Sequence, residues 1–324
     1  MKAIHCTRYG SPDNLKMRET PMPRPGETEI LVRVEATTVT RADTMMRQGT
    51  PRFARLFLGL RRPKPSVTGT GFAGTVFEMG VKVTEFHIGD RVFGETGVSF
   101  GAHAEFLVVD QEGIVTRLPD TLSADEAAPL TDGALTAMNF LSVVSQLRAS
   151  NRILINGAAG GIGSAAVQIA AGLGAEVTGV CSTRNVEFVR SLGASKIIDY
   201  KVSDISAPAG GYDIIFDTIG TLGFRTARPW LSDDGLYLSP VLTLPLLMQM
   251  LITSLFGGKR AKFSATGLQK PARLRRLLGR VLDLVNTGEL KTVIDRRYPL
   301  TQIAEAHRYV DQGHKRGNVV VTPG

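Results

Sequence analysis

Residues 152–173 read RILINGAAGGIGSAAVQIAAGL, and this stretch decides the fold of the chain. The short apolar run Ile153–Ile155 is typical of a buried parallel strand, and Asn156 and Gly157 end it with a sharp turn. The residues from about Gly161 to Ala171 are small and apolar on nearly every side, which favours a helix buried against a sheet. A strand, a glycine turn and a helix in this order predict a phosphate-binding turn, because the helix N-terminus offers unpaired N–H groups and the positive end of its dipole.

The turn matches the dinucleotide-binding fingerprint G-x-G-x-x-G incompletely, because Ala158 stands at the first glycine position. The remaining glycines allow a ligand to approach the backbone and the helix to pack closely on the strand. A second strand over 176–180 follows at the spacing of a βαβ unit, which favours a dinucleotide site over a sharp turn that binds nothing. We expect five residues of the turn to hold the cofactor. They are Ala159, Gly160, Gly161, Ile162 and Gly163.

The end of the second strand indicates which dinucleotide is bound. NAD sites carry an Asp or Glu about 20 residues beyond the glycines, which accepts a hydrogen bond from the ribose 2′-hydroxyl. This chain has no acid there. Arg184, with the hydroxyls of Ser182 and Thr183, instead offers charge and donors for the 2′-phosphate that only NADP carries, and Tyr200 is a further candidate. The sequence therefore predicts NADPH; the alternative is that Arg184 is a solvated surface charge and Asn185 caps the next helix.

The composition is that of an ordinary globular protein. The chain has 324 residues, long for one domain and comfortable for two, and 43% of them are hydrophobic. Its two cysteines, Cys6 and Cys181, provide neither a disulfide framework nor a Cys-rich zinc site, which favours a cytoplasmic or other reducing compartment. The net charge of +8 would suit an acidic partner, but no interleaved aromatic and basic motif of the RNA-binding kind is present. A solvated basic surface and an anionic dinucleotide explain most of the charge.

The first part of the chain differs in pattern from the rest. Residues 1–122 are rich in glycine and in short alternating segments, which predict a compact β-rich domain. Ser123, with Glu126 at the third helical position, marks the start of a helix, and the pattern stays helical to about Ser150. We therefore place a domain boundary after residue 122.

Strands alternate with helices beyond that boundary. The runs over 212–217 and 235–239 continue the alternation begun at residue 152, which predicts the α/β class with a doubly wound parallel sheet. We assign 123–292 to a dinucleotide-binding domain. The strand, helix and strand expected over 293–324 are predicted to return to the first domain.

The segment 241–256 is almost wholly apolar and is followed by three cations, Lys259, Arg260 and Lys262. It is shorter than the roughly 20 residues that a membrane-spanning helix needs. Three interpretations remain: burial in the core or in a subunit interface, a wall of a pocket for a lipophilic substrate, or contact with a membrane surface.

Six segments, taken in order, resemble the zinc-free medium-chain dehydrogenase/reductase superfamily, close to the quinone oxidoreductases. They are GTGFAG (69–74), GDRVFG (89–94), GAHAEF (101–106), LTA (135–137), the glycine turn and KRGNVV (315–320). The resemblance covers nearly the whole chain. It implies a GroES-like catalytic domain, a Rossmann domain, a cleft between them, and a homodimer whose sheets pair through an edge strand at about 261–266.

The resemblance also implies hydride transfer from NADPH to a quinone or to an α,β-unsaturated carbonyl compound. Zinc-dependent relatives hold a catalytic metal through a Cys and a His–Glu pair and a structural metal through four Cys, and this sequence contains neither set. Without a metal to polarise a simple alcohol or ketone, a conjugated and lipophilic acceptor is the easier substrate.

Four residues are carried over from the resemblance. Thr136 is expected near the nicotinamide, Thr40 and Asp43 near the substrate, and Asn318 at the cofactor. For Asp43 the alternative is a structural carboxylate paired with Arg47.

Two positions depart from the family pattern. Thr40 replaces the usual Asn and loses the two-sided contact of an amide, and Gly71 replaces the usual Asp. No residue is a clear proton donor: His103 and Tyr9 are candidates, although a lone histidine on a strand is more often structural, and water is a further source.

Three functions follow as hypotheses. The first is an NADPH-dependent quinone reductase, and the second is an enone or alkenal reductase of the same fold. The third, from a different class, is an NADPH-binding protein with little turnover that acts through its basic surface on RNA or on a membrane. We expect a cytoplasmic protein, with peripheral membrane contact as an option.

Overall fold

The computed structural model describes residues 1–50, 52, 55–64, 66–202, 204–205 and 210–324. The chain divides into two compact units. Unit 1 comprises Met1–Asp132, Gly267–Arg280 and Thr292–Gly324, and unit 2 comprises Gly133–Thr266 and Val281–Lys291. The domain boundary at residue 122 stays a prediction.

The strands are β1 (Lys2–Cys6), β2 (Leu15–Glu19), β3 (Glu29–Val39), β4 (Gly71–Met79), β5 (Arg91–Glu95), β6 (Phe106–Asp110), β7 (Ile114–Arg117), β8 (Arg152–Asn156), β9 (Glu176–Cys181), β10 (Lys196–Asp199), β11 (Tyr212–Asp217), β12 (Leu231–Ser239), β13 (Arg260–Phe263), β14 (Ile294–Pro299) and β15 (Asn318–Thr322). The α-helices are α1 (Arg41–Gln48), α2 (Arg55–Leu58), α3 (Ala124–Ala127), α4 (Gly133–Met138), α5 (Gly161–Gly172), α6 (Val186–Ser191), α7 (Phe224–Ala227), α8 (Leu244–Leu255), α9 (Pro271–Asn286) and α10 (Ile303–Asp311).

Unit 1 is built on a largely antiparallel sheet. Its strands follow the order β14-β15-β3-β4-β5-β7, and β6 pairs with the first half of β3. Only β14 and β15 run parallel to each other among these neighbours. The core on this sheet is formed by alternate residues, which face one side of a strand. It includes Ile30, Val32, Phe72, Val92 and Leu107, each at most 4% exposed.

Unit 2 is built on a parallel sheet with the strand order β10-β9-β8-β11-β12-β13. Every neighbouring pair is parallel. The chain winds from β8 to one edge and, from β11, to the other, so the direction switches between β8 and β11, where open α/β sheets bind their ligands. This is the Rossmann order, and it confirms the predicted α/β class with a doubly wound sheet.

The helical pattern predicted from Ser123 to about Ser150 is not one helix. The predicted capping box is present: the Ser123 hydroxyl accepts from the Glu126 N–H at 3.3 Å, and the Glu126 carboxylate accepts from the Ser123 N–H at 3.0 Å. Pro129 then follows in a 3₁₀ turn, because proline lacks the N–H that would continue α3. Helix α4 and a π-helical turn over Asn139–Val144 complete the segment. The prediction of helix beyond residue 144 is wrong.

Helix α8 occupies the apolar segment 241–256 and exposes most of it. Thr243 caps the helix by accepting from the Leu246 N–H at 3.2 Å. Only Leu246 is buried, at 6% exposed. Met250 is partly buried against the core of unit 2. Seven large apolar side chains of the segment are 44–74% exposed: Leu244, Leu247, Met248, Leu251, Ile252, Leu255 and Phe256. Burial in the core is therefore wrong for most of this segment. Among the described residues, no helix is both long and apolar enough to cross a bilayer.

Candidate functional site

The glycines of the turn between β8 and α5 have different structural roles. Gly157 takes a left-handed conformation with φ +79°, and a Cβ added to Gly163 would lie 2.1 Å from the Gly157 carbonyl oxygen. Only glycine permits this close approach of helix and turn. Gly160 is the extended N-cap of α5 and provides no capping side chain. The first N–H groups of α5 are therefore open to an anion, and the turn fits the pyrophosphate of a dinucleotide.

Ala158 stands where the dinucleotide-binding fingerprint has its first glycine, and the neighbouring strand β9 leaves room for its methyl group. Ala158 is fully buried, and its methyl group faces Gly179 of β9. A Cβ on Gly179 would lie 3.2 Å from the Ala158 Cβ and 2.5 Å from Cγ1 of Val189. Because Gly179 has no side chain, the methyl group of Ala158 fits against β9. The sequence offered a signal for this, because Gly179 interrupts an otherwise apolar strand.

The residues predicted at the 2′-phosphate follow two neighbouring parallel strands. They are Ser182, Thr183 and Arg184 after β9, and Tyr200 after β10. Because β9 and β10 are paired, their carboxyl ends lie at the same edge of the sheet. Thr183, Arg184 and Tyr200 are exposed there. The Asn185 side chain donates to the Ser182 hydroxyl at 3.3 Å and does not cap α6, contrary to the alternative interpretation.

Asp217, at the end of β11, organises the loop after that strand, and sequence reasoning missed it. Its carboxylate is fully buried and accepts hydrogen bonds from five donors. They are Nδ2 of Asn156 at 2.8 Å, the Tyr237 hydroxyl at 2.8 Å, and the N–H groups of Gly220 at 2.9 Å, Leu222 at 2.8 Å and Gly223 at 3.3 Å. Burial and the Asp217 charge raise the pKa of Tyr237 far above its usual range. An Asp followed by glycines at the carboxyl end of a parallel strand is the signal that could have identified this loop.

In unit 1, Thr40 and Asp43 form the capping box of α1. The Asp43 carboxylate accepts from the Thr40 N–H at 2.8 Å and from the Thr40 hydroxyl at 2.7 Å. Asp43 is 1% exposed, and its other oxygen, Oδ1, has no hydrogen-bond partner within the protein. The alternative pairing of Asp43 with Arg47 is not present: the buried Arg47 guanidinium pairs with Asp311 and donates to the Gly10 carbonyl.

Both candidate proton donors are engaged elsewhere. His103 is fully buried, and Nε2 lies 2.8 Å from the Thr38 carbonyl oxygen, so it is the protonated nitrogen. Nδ1 then accepts from the Thr68 hydroxyl at 2.7 Å. Burial lowers the pKa of His103, so the ring is neutral at neutral pH. The Tyr9 hydroxyl donates to the Gly59 carbonyl at 2.7 Å. These contacts give both residues a structural role.

The remaining two predicted residues lie in different units. Thr136 is 7% exposed on α4 of unit 2. Asn318 begins β15 in unit 1, and its amide and its N–H both donate to the Val293 carbonyl, at 3.0 and 2.9 Å. The catalytic and cofactor roles of all the predicted residues remain predictions.

Sequence reasoning also missed Thr38 and Glu95, which lie on the strands on either side of β4, the strand that begins at Gly71. Glu95, the last residue of β5, is paired with Gly71 of β4, so the two residues face the same side of the sheet. A Cβ on Gly71 would lie 3.1 Å from Oγ1 of Thr38 and 2.6 Å from Oγ1 of Thr131. The Thr38 hydroxyl has no hydrogen-bond partner within the protein, although Thr38 is only 1% exposed.

Burial and the neighbouring negative charges favour the protonated form of Glu95 at neutral pH. Burial, with the negative charges of Asp132 and Asp43, raises the pKa of Glu95 to about 8. Burial and the Asp43 charge raise the pKa of Asp132 to about 6, against the opposing effect of Lys315. Burial lowers the pKa of Lys315. Residues so distant in sequence gave no local signal of this cluster.

A bound metal ion requires several donor side chains close together. Within the described ranges, no three His, Cys, Asp or Glu residues lie close enough to hold an ion. The side chains there do not fit a zinc site.

Comparisons with known proteins agree with this architecture. The family described as "Alcohol dehydrogenase GroES-like domain" matches residues 26–120, and the one described as "Zinc-binding dehydrogenase" matches 192–321. A "Quinone-oxidoreductase homolog, chloroplastic" of Spinacia oleracea is 32% identical over 338 residues, covering 99% of each chain. An "NAD(P)H oxidoreductase RTN4IP1, mitochondrial" of Bos taurus is 30% identical, covering 99% of this chain and 89% of its own.

Solved structures give the same result. The quinone oxidoreductase of Coxiella burnetii superposes with a TM-score of 0.88 at 29% identity, covering 100% of this chain and 99% of its own. These findings confirm the predicted GroES-like and Rossmann folds, and the resemblance on which they rested. The chain belongs to the quinone oxidoreductase-like family of the medium-chain dehydrogenase/reductase superfamily.

Proposed function

We propose that this protein is an NADPH-dependent oxidoreductase that transfers hydride to a quinone or another conjugated carbonyl acceptor without zinc. The observation that carries the proposal is the α5 turn, where Gly163 and Gly179 permit close packing and Gly160 leaves the helix N-terminus uncapped by a side chain. Relatives named as quinone and NAD(P)H oxidoreductases along nearly the whole chain support it.

The chain's own residues would bind and orient the cofactor. Within residues 159–163, the N–H groups at the start of α5 would donate to the pyrophosphate. Gly160, whose own N–H donates to the Gly157 carbonyl at 3.0 Å, would let the pyrophosphate approach the backbone closely. Ser182, Thr183 and Arg184 would hold the 2′-phosphate, with Tyr200 beside them, because an exposed guanidinium and hydroxyls suit a phosphate and no carboxylate follows β9 to bind a 2′-hydroxyl. Bound NADPH would supply the hydride. Thr136 would lie near the nicotinamide, and Thr40 and Asp43 near the acceptor.

An enone or alkenal reductase is the alternative with the same site and a different acceptor. The exposed apolar face of α8 favours a lipophilic acceptor in either case. The third hypothesis was an NADPH-binding protein with little turnover that acts on RNA or on a membrane, and no observation favours its RNA-binding form.

We propose a homodimer formed through β13, which lies at one edge of the unit 2 sheet and has no strand beside its outer side among the described residues. Helix α8 directly precedes β13 in the chain and contacts it. The exposed apolar face of α8 would be covered in part by the partner or by a membrane surface. Sedimentation velocity tests the dimer, and a monomer at micromolar concentration would refute it. A cytoplasmic location stays a prediction.

The deciding experiment follows oxidation of NADPH and NADH against a panel of quinones and enones. The Arg184→Ala variant is expected to raise KM for NADPH by roughly tenfold to a hundredfold, the loss of one charge-assisted phosphate contact, and to leave NADH unchanged. Arg190→Ala, an exposed arginine on the following helix, is the matched control and should leave both unchanged.

Two outcomes would contradict the proposal. If native protein binds NADPH but oxidises it with no acceptor, the enzyme hypothesis fails. If Arg184→Ala weakens both cofactors equally, the reductase survives and the 2′-phosphate assignment fails.

A further inference from the structure

A cavity of about 360 Å³ lies beside the first two strands of unit 1. Strands β1 and β2 pair in antiparallel fashion. The segment before β4 runs along the other edge of β1, where the Cys6 N–H donates to the Ser66 carbonyl at 2.7 Å. Side chains of both strands and of this segment line the cavity, whose volume is within the range of small-molecule sites, roughly 300–1,000 Å³. The proposed hydride transfer uses none of these residues.

The lining side chains that are charged at neutral pH are all cations. They are Arg18 of β2, with Arg62 and Lys64 of the segment before β4, and each of them is exposed. No Asp or Glu lines the cavity. Within the described part of the chain, no acid forms an ion pair with any of the three, whereas Lys82 and Arg117 of the same unit do pair with acids. Three cations around one cavity repel one another, and an anion that enters the cavity reverses this repulsion.

The register of the two strands keeps the positive charge beside His5, which also lines the cavity. His5 is paired with Lys16 and Ala3 with Arg18, so both cations lie on the same face of the two-stranded sheet as His5. Nδ1 of His5 lies 3.1 Å from the Ser66 hydroxyl oxygen. Burial, and then the positive charge of Arg18, lower the pKa of His5. The imidazole is therefore neutral at pH 7, and it is close enough to Arg18 to respond to charge in the cavity.

The donors match a phosphate group better than a carboxylate. A guanidinium binds two oxygens of an oxyanion through parallel N–H groups, and an ammonium adds a point charge with three donors. Two guanidiniums and one ammonium can therefore serve all three terminal oxygens of a phosphate ester, which carries a charge of about −1.5 to −2 at pH 7. A carboxylate has two oxygens and a single charge, so it would leave part of this donor set unused.

We propose that this cavity binds a phosphate group, carried by a small phosphate ester or by a lipid headgroup, through Arg18, Arg62 and Lys64. The site differs from the one proposed for the pyrophosphate and 2′-phosphate of NADPH. Its residues belong to unit 1, whereas the α5 turn and Arg184 belong to unit 2. The proposal holds whether or not the protein is a reductase.

The test follows the NMR signal of His5 during titration with inorganic phosphate, at an ionic strength held constant with sodium chloride. The absence of the signal in His5→Gln identifies it. A bound dianion stabilises the imidazolium and opposes the charge of Arg18, so phosphate should raise the pKa of His5.

Two arginine variants show whether the cavity is responsible. Arg18→Ala should raise the dissociation constant for phosphate about tenfold, the loss of one charge-assisted contact. Arg33→Ala, an exposed arginine on β3 of the same unit, is the matched control and should bind phosphate like the native protein. Both side chains are exposed, so neither variant should change the free energy of unfolding by more than about 0.5 kcal/mol.

Vesicles of phosphatidylcholine, with and without phosphatidic acid, separate the two sources of the phosphate group. Co-sedimentation that needs phosphatidic acid, and that is lost in Arg18→Ala but kept in Arg33→Ala, would assign a lipid headgroup. Binding of inorganic phosphate without such co-sedimentation would assign a small phosphate ester.

Three results would overturn the proposal. The first is a His5 pKa that excess phosphate leaves unchanged in a protein that also ignores phosphatidic acid. The second is equal binding of phosphate by Arg18→Ala and Arg33→Ala. The third is an Arg18→Ala protein that loses NADPH affinity as strongly as phosphate affinity, which would make the cavity part of the cofactor site.

Discussion

Replacing either of two glycines in the α5 turn should separate folding from cofactor binding. In Gly163→Ala the new methyl carbon would lie 2.1 Å from the Gly157 carbonyl oxygen, more than an ångström closer than the 3.4 Å at which ordinary contact begins. The obstacle is backbone, so the helix or the turn must move. We expect the free energy of unfolding to fall by at least about 2 kcal/mol, as in overpacked cores, and NADPH binding to weaken with it.

Gly160→Ala is the matched comparison three residues earlier. Its φ of −78° suits alanine, and its Cβ would stand 3.4 Å from the same carbonyl oxygen, an ordinary contact. The free energy of unfolding should therefore change by less than about 0.5 kcal/mol. The methyl would instead meet the pyrophosphate, so NADPH should bind about tenfold more weakly, a loss of about 1.4 kcal/mol.

Urea unfolding and nicotinamide fluorescence titration, applied to both variants, make the comparison. Two results would refute the reasoning. One is a Gly163→Ala protein as stable as Gly160→Ala, which would mean that the turn is not closely packed. The other is a Gly160→Ala protein that binds NADPH like the native chain, which would mean that the pyrophosphate does not lie against this turn.

Two further predictions concern buried carboxyl groups. Asp217→Asn would point an amide N–H₂ at donors that now bond to the carboxylate, so the free energy of unfolding measured in urea should fall by about 3 kcal/mol. The exposed Asp233→Asn is the control and should leave this free energy unchanged. A fall below about 1 kcal/mol in Asp217→Asn would show that the loop does not depend on this charge. The pKa of Glu95 is raised from 4.5 to about 8 in the folded protein. The free energy of unfolding should therefore fall as pH rises from about 4.5 to 8, by at most about 5 kcal/mol. Glu95→Gln should remove this pH-dependent part of the stability. Equal pH dependence of unfolding in native and variant protein would contradict the raised pKa.

Sequence reasoning predicted the parts of the fold whose signals lie within short stretches of consecutive residues. The strand Ile153–Ile155, the glycines after it and the small apolar helix lie within some twenty consecutive residues, and their periodicity can be read without knowing the tertiary structure. The capping box of Ser123 and Glu126 is equally local. The parallel sheet followed because its strands recur at regular spacing with helices between them.

The parts that were missed depend on contacts between distant segments. Glu95 meets Gly71 only through the register of β4 and β5, and the pKa of Glu95 depends on Asp132 and Asp43, which come from other elements. The alternative interpretation of Asp43 paired it with Arg47 one turn away, whereas Arg47 pairs with Asp311 of α10. Helix–helix packing overrode the local choice in that case. No periodicity in the sequence carries such information.

The return of the last strands to unit 1 has a consequence for how the protein is made. Residues Thr37–Val39 of β3 pair with Val319–Val321 of β15, and α10 supplies part of the core beneath β1. The ribosome releases β3 early, but its partner emerges only after the whole of unit 2. The Rossmann sheet can therefore close first, while the N-terminal unit waits with an unpaired strand edge that is open to other nascent chains. Loss of residues 318–322 would leave that edge open permanently.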